Sequence, residues 1–158
     1  MILSLSLFLG HGEVMEKMIG VGIDLVNISR FEKIAARWET RFLSRIFTED
    51  EQDCCRKRRN PYPHLAARWA VKEAAVKALR LDRSVAFNWR EIETVNDVSG
   101  RPLVRMTGAI RRQADHLGVA QIYVSISHDH DYAIASVTLI GVDVSKSSTE
   151  AQRGVSDS

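Results

Sequence analysis

Apolar and polar residues first alternate over residues 19–26. Ile19, Val21, Ile23 and Leu25 fall on one side of an extended chain, and Gly20, Gly22, Asp24 and Val26 on the other. The pattern predicts a strand. Glycines inside a strand signal that another part of the molecule approaches the backbone closely, and Asp24 projects from that same face. It either caps the turn that follows or serves chemistry beside the glycines. Asn27 or Ser29 can then cap a helix through Phe31, Ile34, Ala35 and Trp38, whose spacing is helical. Thr48-Glu49-Asp50-Glu51 is a capping box that opens a second, short helix. Pro61 and Pro63 mark the start of the strongest element, a helix over residues 64–79 of about four turns. Ala67, Ala70, Val71, Ala74, Ala75 and Ala78 form its broad apolar arc. Arg68 and Lys72 share a second direction, and Glu73 and Lys77 a third.

Further on, residues 86–95 and 103–106 read as two strands joined through the turn chemistry of Asn96-Asp97-Val98-Ser99-Gly100-Arg101-Pro102. Thr107 or Gly108 begins a helix with Ile110, Ala114 and Leu117 inward, and Gly118 suits its C-terminal cap. Residues 121–127 alternate again, residues 128–131 turn, and residues 132–140 return as a strand. Strands before, between and after helices, with antiparallel hairpins in the second half, predict an α+β domain. Its antiparallel-rich sheet packs against the long central helix. The apolar run 2–9 lacks a basic start and a cleavage site and is too short to span a bilayer, so residues 1–17 read as a disordered or mis-started leader. Residues 18–141 carry the fold, and the polar residues 142–158 read as a disordered tail.

At 158 residues the chain can bury a core without metal or disulfide staples. A net charge of +2 offers no argument for nucleic acid, and no segment reads as membrane-spanning. Cys54 and Cys55 are adjacent, which suits neither a structural bridge nor a metal site and predicts a reducing, cytoplasmic setting. Charge is concentrated in two places. Arg30, Arg37, Arg41 and Arg45 fall on roughly one side of the first helix, as a solvated face or a docking surface for an acidic partner. Arg56-Lys57-Arg58-Arg59 is a solvated loop or a holder of phosphate, whose oxygens match the arginine fork.

Three polar groups stand out from apolar surroundings: Asp24, Glu73 with Lys77, and Ser127-His128. Taken alone, Glu73 and Lys77 could be an ordinary surface pair. Taken with Asp24, two hard carboxylates suit Mg²⁺, which completes its shell with water and substrate phosphates. A lysine one turn away can neutralise charge growing on a phosphate leaving group. Zinc is disfavoured by the spacing of the histidines and cysteines. The residue types point to phosphoryl-type transfer on a diphosphate. A two-metal phosphodiesterase or nuclease would call for more clustered acids. A nucleic-acid module would interleave aromatics with its cations, whereas Phe31, Trp38 and Trp69 fall at core spacing.

Gly22-Ile23-Asp24 followed by Arg30-Phe31 resembles the first signature of the 4′-phosphopantetheinyl transferases, and residues 68–78, RWAVKEAAVKA, resemble their W-x-x-K-E-A-x-x-K-A motif. Ser125-Ile126-Ser127-His128 with Tyr132-Ala133, and Gly100-Arg101-Pro102, are similar to the closing motif and the G-x-P loop of the short bacterial branch, the holo-acyl-carrier-protein synthases. The resemblance covers residues 18–140. It implies transfer of 4′-phosphopantetheine from coenzyme A to a serine of an apo acyl carrier protein, as in fatty-acid biosynthesis, with release of adenosine 3′,5′-bisphosphate. Asp24 and Glu73 would bind Mg²⁺ and the coenzyme A diphosphate, and Lys77 would steady the leaving group. Ser127, His128, Gly100 and Pro102 would border the nucleotide. Arg30, Arg37 and Arg41 would face the carrier protein's acidic helix. The base is Glu73 or a metal-bound water. A homotrimer with sites shared between subunits is also implied. His11, His64, His116 and His130 are read as surface or capping residues.

Overall fold

The computed structural model describes residues 14–82 and 84–144. Three strands, β1 (Val14–Asn27), β4 (Val119–Asp129) and β5 (Tyr132–Val144), form an antiparallel sheet in the order β1-β5-β4. Strands β2 (Ile92–Asn96) and β3 (Pro102–Met106) form a separate hairpin, paired from Ile92 with Met106 to Asn96 with Pro102. Helices α1 (Ile28–Ile46), α2 (Glu49–Arg56), α3 (Tyr62–Ala78) and α4 (Gly108–His116) complete the α+β architecture.

Register settles which side of the three-stranded sheet is inside. One face carries rows of Gly20, Leu139 and Ile122, then Gly22, Val137 and Val124, then Asp24, Ala135 and Ile126. Against this face lies α3, whose arc of Ala67, Ala70, Val71, Ala74, Ala75 and Ala78 is buried throughout. The close neighbour that the glycines of β1 call for is this helix. A Cβ on Gly20 would stand 2.1 Å from the carbonyl oxygen of Ala78, and one on Gly22 1.9 Å from that of Ala74. Only bare backbone on the strand and alanine on the helix allow so short a separation. The opposite face presents Val21, Ile23, Leu25, Tyr123 and Ile134, each 41% exposed or more.

Local signals in the sequence place the helices. Asn27 caps α1 by accepting from the Arg30 amide at 2.9 Å, and α1 runs unbroken to Ile46. Thr48 and Glu51 form both halves of the expected capping box on α2. Helix α3 starts two residues earlier than the sequence suggests, with Pro61 at its cap position and Pro63 in its first turn. Helix α4 lacks a side-chain cap of its own; Glu91, from a 3₁₀ turn at Trp89–Glu91, accepts from the Ile110 amide at 3.1 Å instead. Residues 86–88 belong to no strand.

The sheet outgrows the boundaries read from sequence. Val14 to Lys17 pair with residues 141–144 across β1 and β5, so chain assigned to the leader and the tail belongs to the sheet at these positions. The rest of the expected leader and tail, and the side chain of Trp38, lie outside the described residues. Among the described residues, no helix is long and apolar enough to cross a membrane.

Candidate active site

Asp24 occupies the inward position on β1 that follows Gly22. Because the glycines let α3 settle on the strand, the flank of the helix reaches this carboxylate. Lys77 Nζ lies 2.8 Å from Asp24 Oδ1 and donates to the Ile23 carbonyl at 2.9 Å. Glu73, one turn earlier on the same flank, is half-buried. Burial, and then the neighbouring Asp24 charge, hold its carboxyl above the usual range, with Lys77 opposing them. Two neighbouring carboxylates that share a single lysine form a seat short of positive charge. The structure brings Asp24, Glu73 and Lys77 together, whereas Ser127 and His128, grouped with them from the sequence, lie elsewhere. Glu73 and Lys77 are not a self-contained surface pair, since the lysine bonds across to the strand.

The carboxylates open into a groove of about 400 Å³ bordered by Asn27, Arg30, Phe31, Trp69 and Tyr132. Arg30 therefore stands beside the acidic pair. Arg37 and Arg41 are exposed further along α1. Arg41 and Arg45 border a hollow over Ile34 and Phe42, which gives the basic face an apolar seat.

A second concavity, about 210 Å³, lies on the other side of α3 between the helix, the β2–β3 hairpin and β4. His128 and Pro102 border it. Arg58, His64, Arg68, Cys54, Thr94 and Asn96 border it as well. The His64 and His128 rings meet edge to face with centroids 5.4 Å apart. Burial, His128 and the two arginines hold the His64 imidazole below its ordinary pKa. Arg68 is 8% exposed and Thr94 4%. The Arg68 Nε and the Thr94 hydroxyl nevertheless have no hydrogen-bond partner among the described residues. Buried donors left unmatched in a cationic hollow suit an anion.

Two motif residues stay out of this hollow. Ser127 points to the outer face of the sheet, in the row of Leu25 and Ile134. Gly100, at φ +85°, is exposed, and its carbonyl accepts from the Asn96 side-chain Nδ2 at 2.8 Å, steadying a residue that does border the hollow. His64, read from sequence as a surface or capping residue, belongs to the hollow. Its pairing with His128 joins positions 64 residues apart, and no local spacing announces it.

Sequence reasoning also missed the ion pair that fixes α3. Lys72 Nζ lies 2.8 Å from Glu51 Oε2, with both side chains fully buried, and it donates to the carbonyls of Trp89 and Ile92. Glu51 accepts in turn from the Thr48 and Thr94 amides at 3.1 and 3.0 Å. One carboxylate thus caps α2, anchors β2 and fixes the rotation of the helix that carries Glu73.

Comparison with known proteins agrees with this geometry. The family model for the 4′-phosphopantetheinyl transferase superfamily matches residues 20–137. A holo-[acyl-carrier-protein] synthase of Herpetosiphon aurantiacus is 43% identical, spanning 78% of this chain and all of its own length. The crystal structure of the Neisseria meningitidis holo-[acyl-carrier-protein] synthase superposes with a TM-score of 0.71 at 27% identity, covering 78% of this chain and 98% of that one. The Helicobacter pylori enzyme, solved in complex with coenzyme A, gives a TM-score of 0.66 at 29% identity over 75% and 98% of the two chains. With motifs, fold and full-length relatives in agreement, the chain belongs to the 4′-phosphopantetheinyl transferase superfamily, as an enzyme of its holo-acyl-carrier-protein synthase branch.

Proposed function

We propose that this enzyme moves the 4′-phosphopantetheine arm of coenzyme A onto a serine hydroxyl of an apo acyl carrier protein, with Mg²⁺, and releases adenosine 3′,5′-bisphosphate. The observation that carries the reading is the convergence of Asp24, Glu73 and Lys77 at one end of a groove that also contains Arg30. Asp24 and Glu73 would hold the metal. Among the described residues no group of three or more metal-ligating side chains comes together, so a hard cation that takes phosphate oxygens and water as its remaining ligands fits the donor set best. When bound, the ion would neutralise the coenzyme's diphosphate and hold it in line for attack.

The chain's own groups supply the rest. The serine oxygen forms a bond to the pantetheine-side phosphorus as the bond to the adenosine bisphosphate oxygen breaks. Glu73 is the carboxylate placed on the groove to take the serine proton. Lys77 leaves Asp24 for the phosphate oxygens and offsets charge on the departing bisphosphate. Arg58, Arg68 and His128 then suit the phosphate on the ribose, with the unmatched Arg68 Nε and Thr94 hydroxyl available to it. Arg30, Arg37 and Arg41 would guide the acidic helix of the carrier, whose apolar side the Ile34 and Phe42 hollow can seat.

The exposed face of Val21, Ile23, Leu25, Tyr123 and Ile134 lies on the reverse of the strand that carries Asp24 and supports the homotrimer implied by the resemblance. Free Cys54 and Cys55 fit a cytoplasmic setting, with the carrier of fatty-acid biosynthesis as acceptor. The test is the mass of an apo acyl carrier protein after incubation with enzyme, coenzyme A and Mg²⁺. A gain of one phosphopantetheine on the carrier serine, abolished by EDTA, is expected. No gain from folded enzyme on several carriers would overturn the reading.

A further inference from the structure

The cationic hollow contains a thiol that the transfer reaction does not use. Cys54 is partly exposed on α2 and borders the hollow together with Arg58, His64, Arg68 and His128. Its Sγ accepts from Arg68 Nη2 at 3.3 Å. The adjacent Cys55 is a different chemical object. It is 1% exposed, and burial pushes its thiol up to about 11. Consecutive helix positions diverge by about 100°, so Cys55 faces the core of α1 and α3 while Cys54 faces the hollow. That the hollow binds a ligand is indicated independently of the thiol, by the Thr94 hydroxyl, which is buried and unmatched at its wall.

We infer that Cys54 is a modification site for small disulfides that carry anionic groups, and that the adduct closes the hollow to phosphate. This rests on reading the hollow as a phosphate site. Cations that draw in phosphate also concentrate carboxylate- or phosphate-bearing reagents, and focusing of this kind raises local concentration and association rate by at least tenfold. In the step itself, the Cys54 sulfur attacks one sulfur of the reagent. The reagent's S–S bond breaks, its other half leaves as a thiol carrying the proton that Cys54 gave up, and a mixed disulfide remains. Cys54 is oxidised, half of the reagent is reduced, and no further oxidant enters. Cys55, buried and pointing away, does not resolve the adduct, so release requires an external thiol. The attached group lies between Arg58 and Arg68, where the phosphate would sit.

The test treats the full chain with glutathione disulfide and, in parallel, with neutral bis(2-hydroxyethyl) disulfide. Rates come from intact mass and the site from peptide mapping, each normalised to the chain unfolded in urea. A single adduct at Cys54 is expected, formed at least about tenfold faster with the anionic reagent. It should be slowed about tenfold by saturating adenosine 3′,5′-bisphosphate and be absent in Cys54→Ser. Calorimetry should show the bisphosphate binding to untreated enzyme and failing to bind to the adduct. An adduct at Cys55, or equal normalised rates for the two reagents, would overturn the inference. Bisphosphate that binds without protecting Cys54 would also overturn it while leaving the phosphate site standing. Bisphosphate that does not bind at all would remove both.

Discussion

Replacing Gly22 by alanine tests whether the contact between strand and helix builds the active site. The new Cβ would stand 1.9 Å from the Ala74 carbonyl oxygen and 2.8 Å from the Ala78 nitrogen, both backbone atoms of α3. Neither can swing aside as a side chain would. Restoring contact at about 3.4 Å requires β1 and α3 to part by about 1.5 Å. Overpacking of this kind destabilises by about 1–3 kcal/mol. The larger effect falls on catalysis. Asp24 is two residues along β1 and Glu73 is adjacent to Ala74, so the same displacement separates the two carboxylates. A misplacement of about 1 Å lowers rates on the order of 100-fold. The assay is the urea midpoint together with turnover per folded molecule at saturating coenzyme A and carrier protein. Gly118→Ala provides the contrast. Its φ of +73° strains alanine by about 1–2 kcal/mol, yet nothing lies within 4 Å of the new methyl. Both variants should lose stability, and only Gly22→Ala should lose turnover. A Gly22→Ala enzyme with normal turnover per folded molecule would refute the reasoning.

Glu73→Gln should abolish turnover without lowering the melting temperature of metal-free enzyme, because the charge it removes is held in an unfavourable place. The sign follows from the raised carboxyl: above the ordinary 4.5 the ionised form destabilises the fold, so Mg²⁺ affinity, measured by calorimetry, should fall as pH falls through the raised value. Glu51→Gln leaves Lys72 fully buried without its carboxylate, which should destabilise by about 3–5 kcal/mol in urea titration. Adding Lys72→Met should recover most of that loss. Arg41→Glu should raise KM for the carrier protein about tenfold, more at low salt than at high, and leave KM for coenzyme A unchanged. Arg68→Met should reduce the preference for coenzyme A over its 3′-dephospho form by on the order of 10–100-fold, the worth of a charge-assisted phosphate bond of about 1.5–3 kcal/mol. That ratio is independent of how much of the variant is folded.

What the sequence made legible was what is local. The alternation over residues 19–26, the capping box at Thr48 and the alanine arc of the central helix each follow from neighbours a few positions apart, and each appears in the fold. Gly20 and Gly22 announced a close approach without naming the partner; it is α3. The long-range partners of Lys72, Arg68 and His64 were not legible. Glu51 satisfies the capping pattern with one oxygen, and nothing nearby in sequence indicates that its carboxylate also reaches Lys72 and the Thr94 amide. Arg68 and Lys72 appeared as a polar stripe beside the alanines. Packing buries both because charge and hydrogen bonds meet them from α2 and the β2–β3 hairpin. Ser127 shows the opposite limit. Its motif implies a place beside the nucleotide, while strand alternation turns it to the outer face.

The proposed reaction requires Asp24 and Glu73 to act as one cation seat for the coenzyme's diphosphate. The most direct measurement is anomalous diffraction from crystals of the enzyme grown with coenzyme A and Mn²⁺ in place of Mg²⁺. One peak is expected between the Asp24 and Glu73 carboxylates, in contact with the diphosphate, with the Lys77 ammonium moved from Asp24 to a phosphate oxygen. A bound coenzyme with no metal between those carboxylates, or with Lys77 still paired to Asp24, would contradict it.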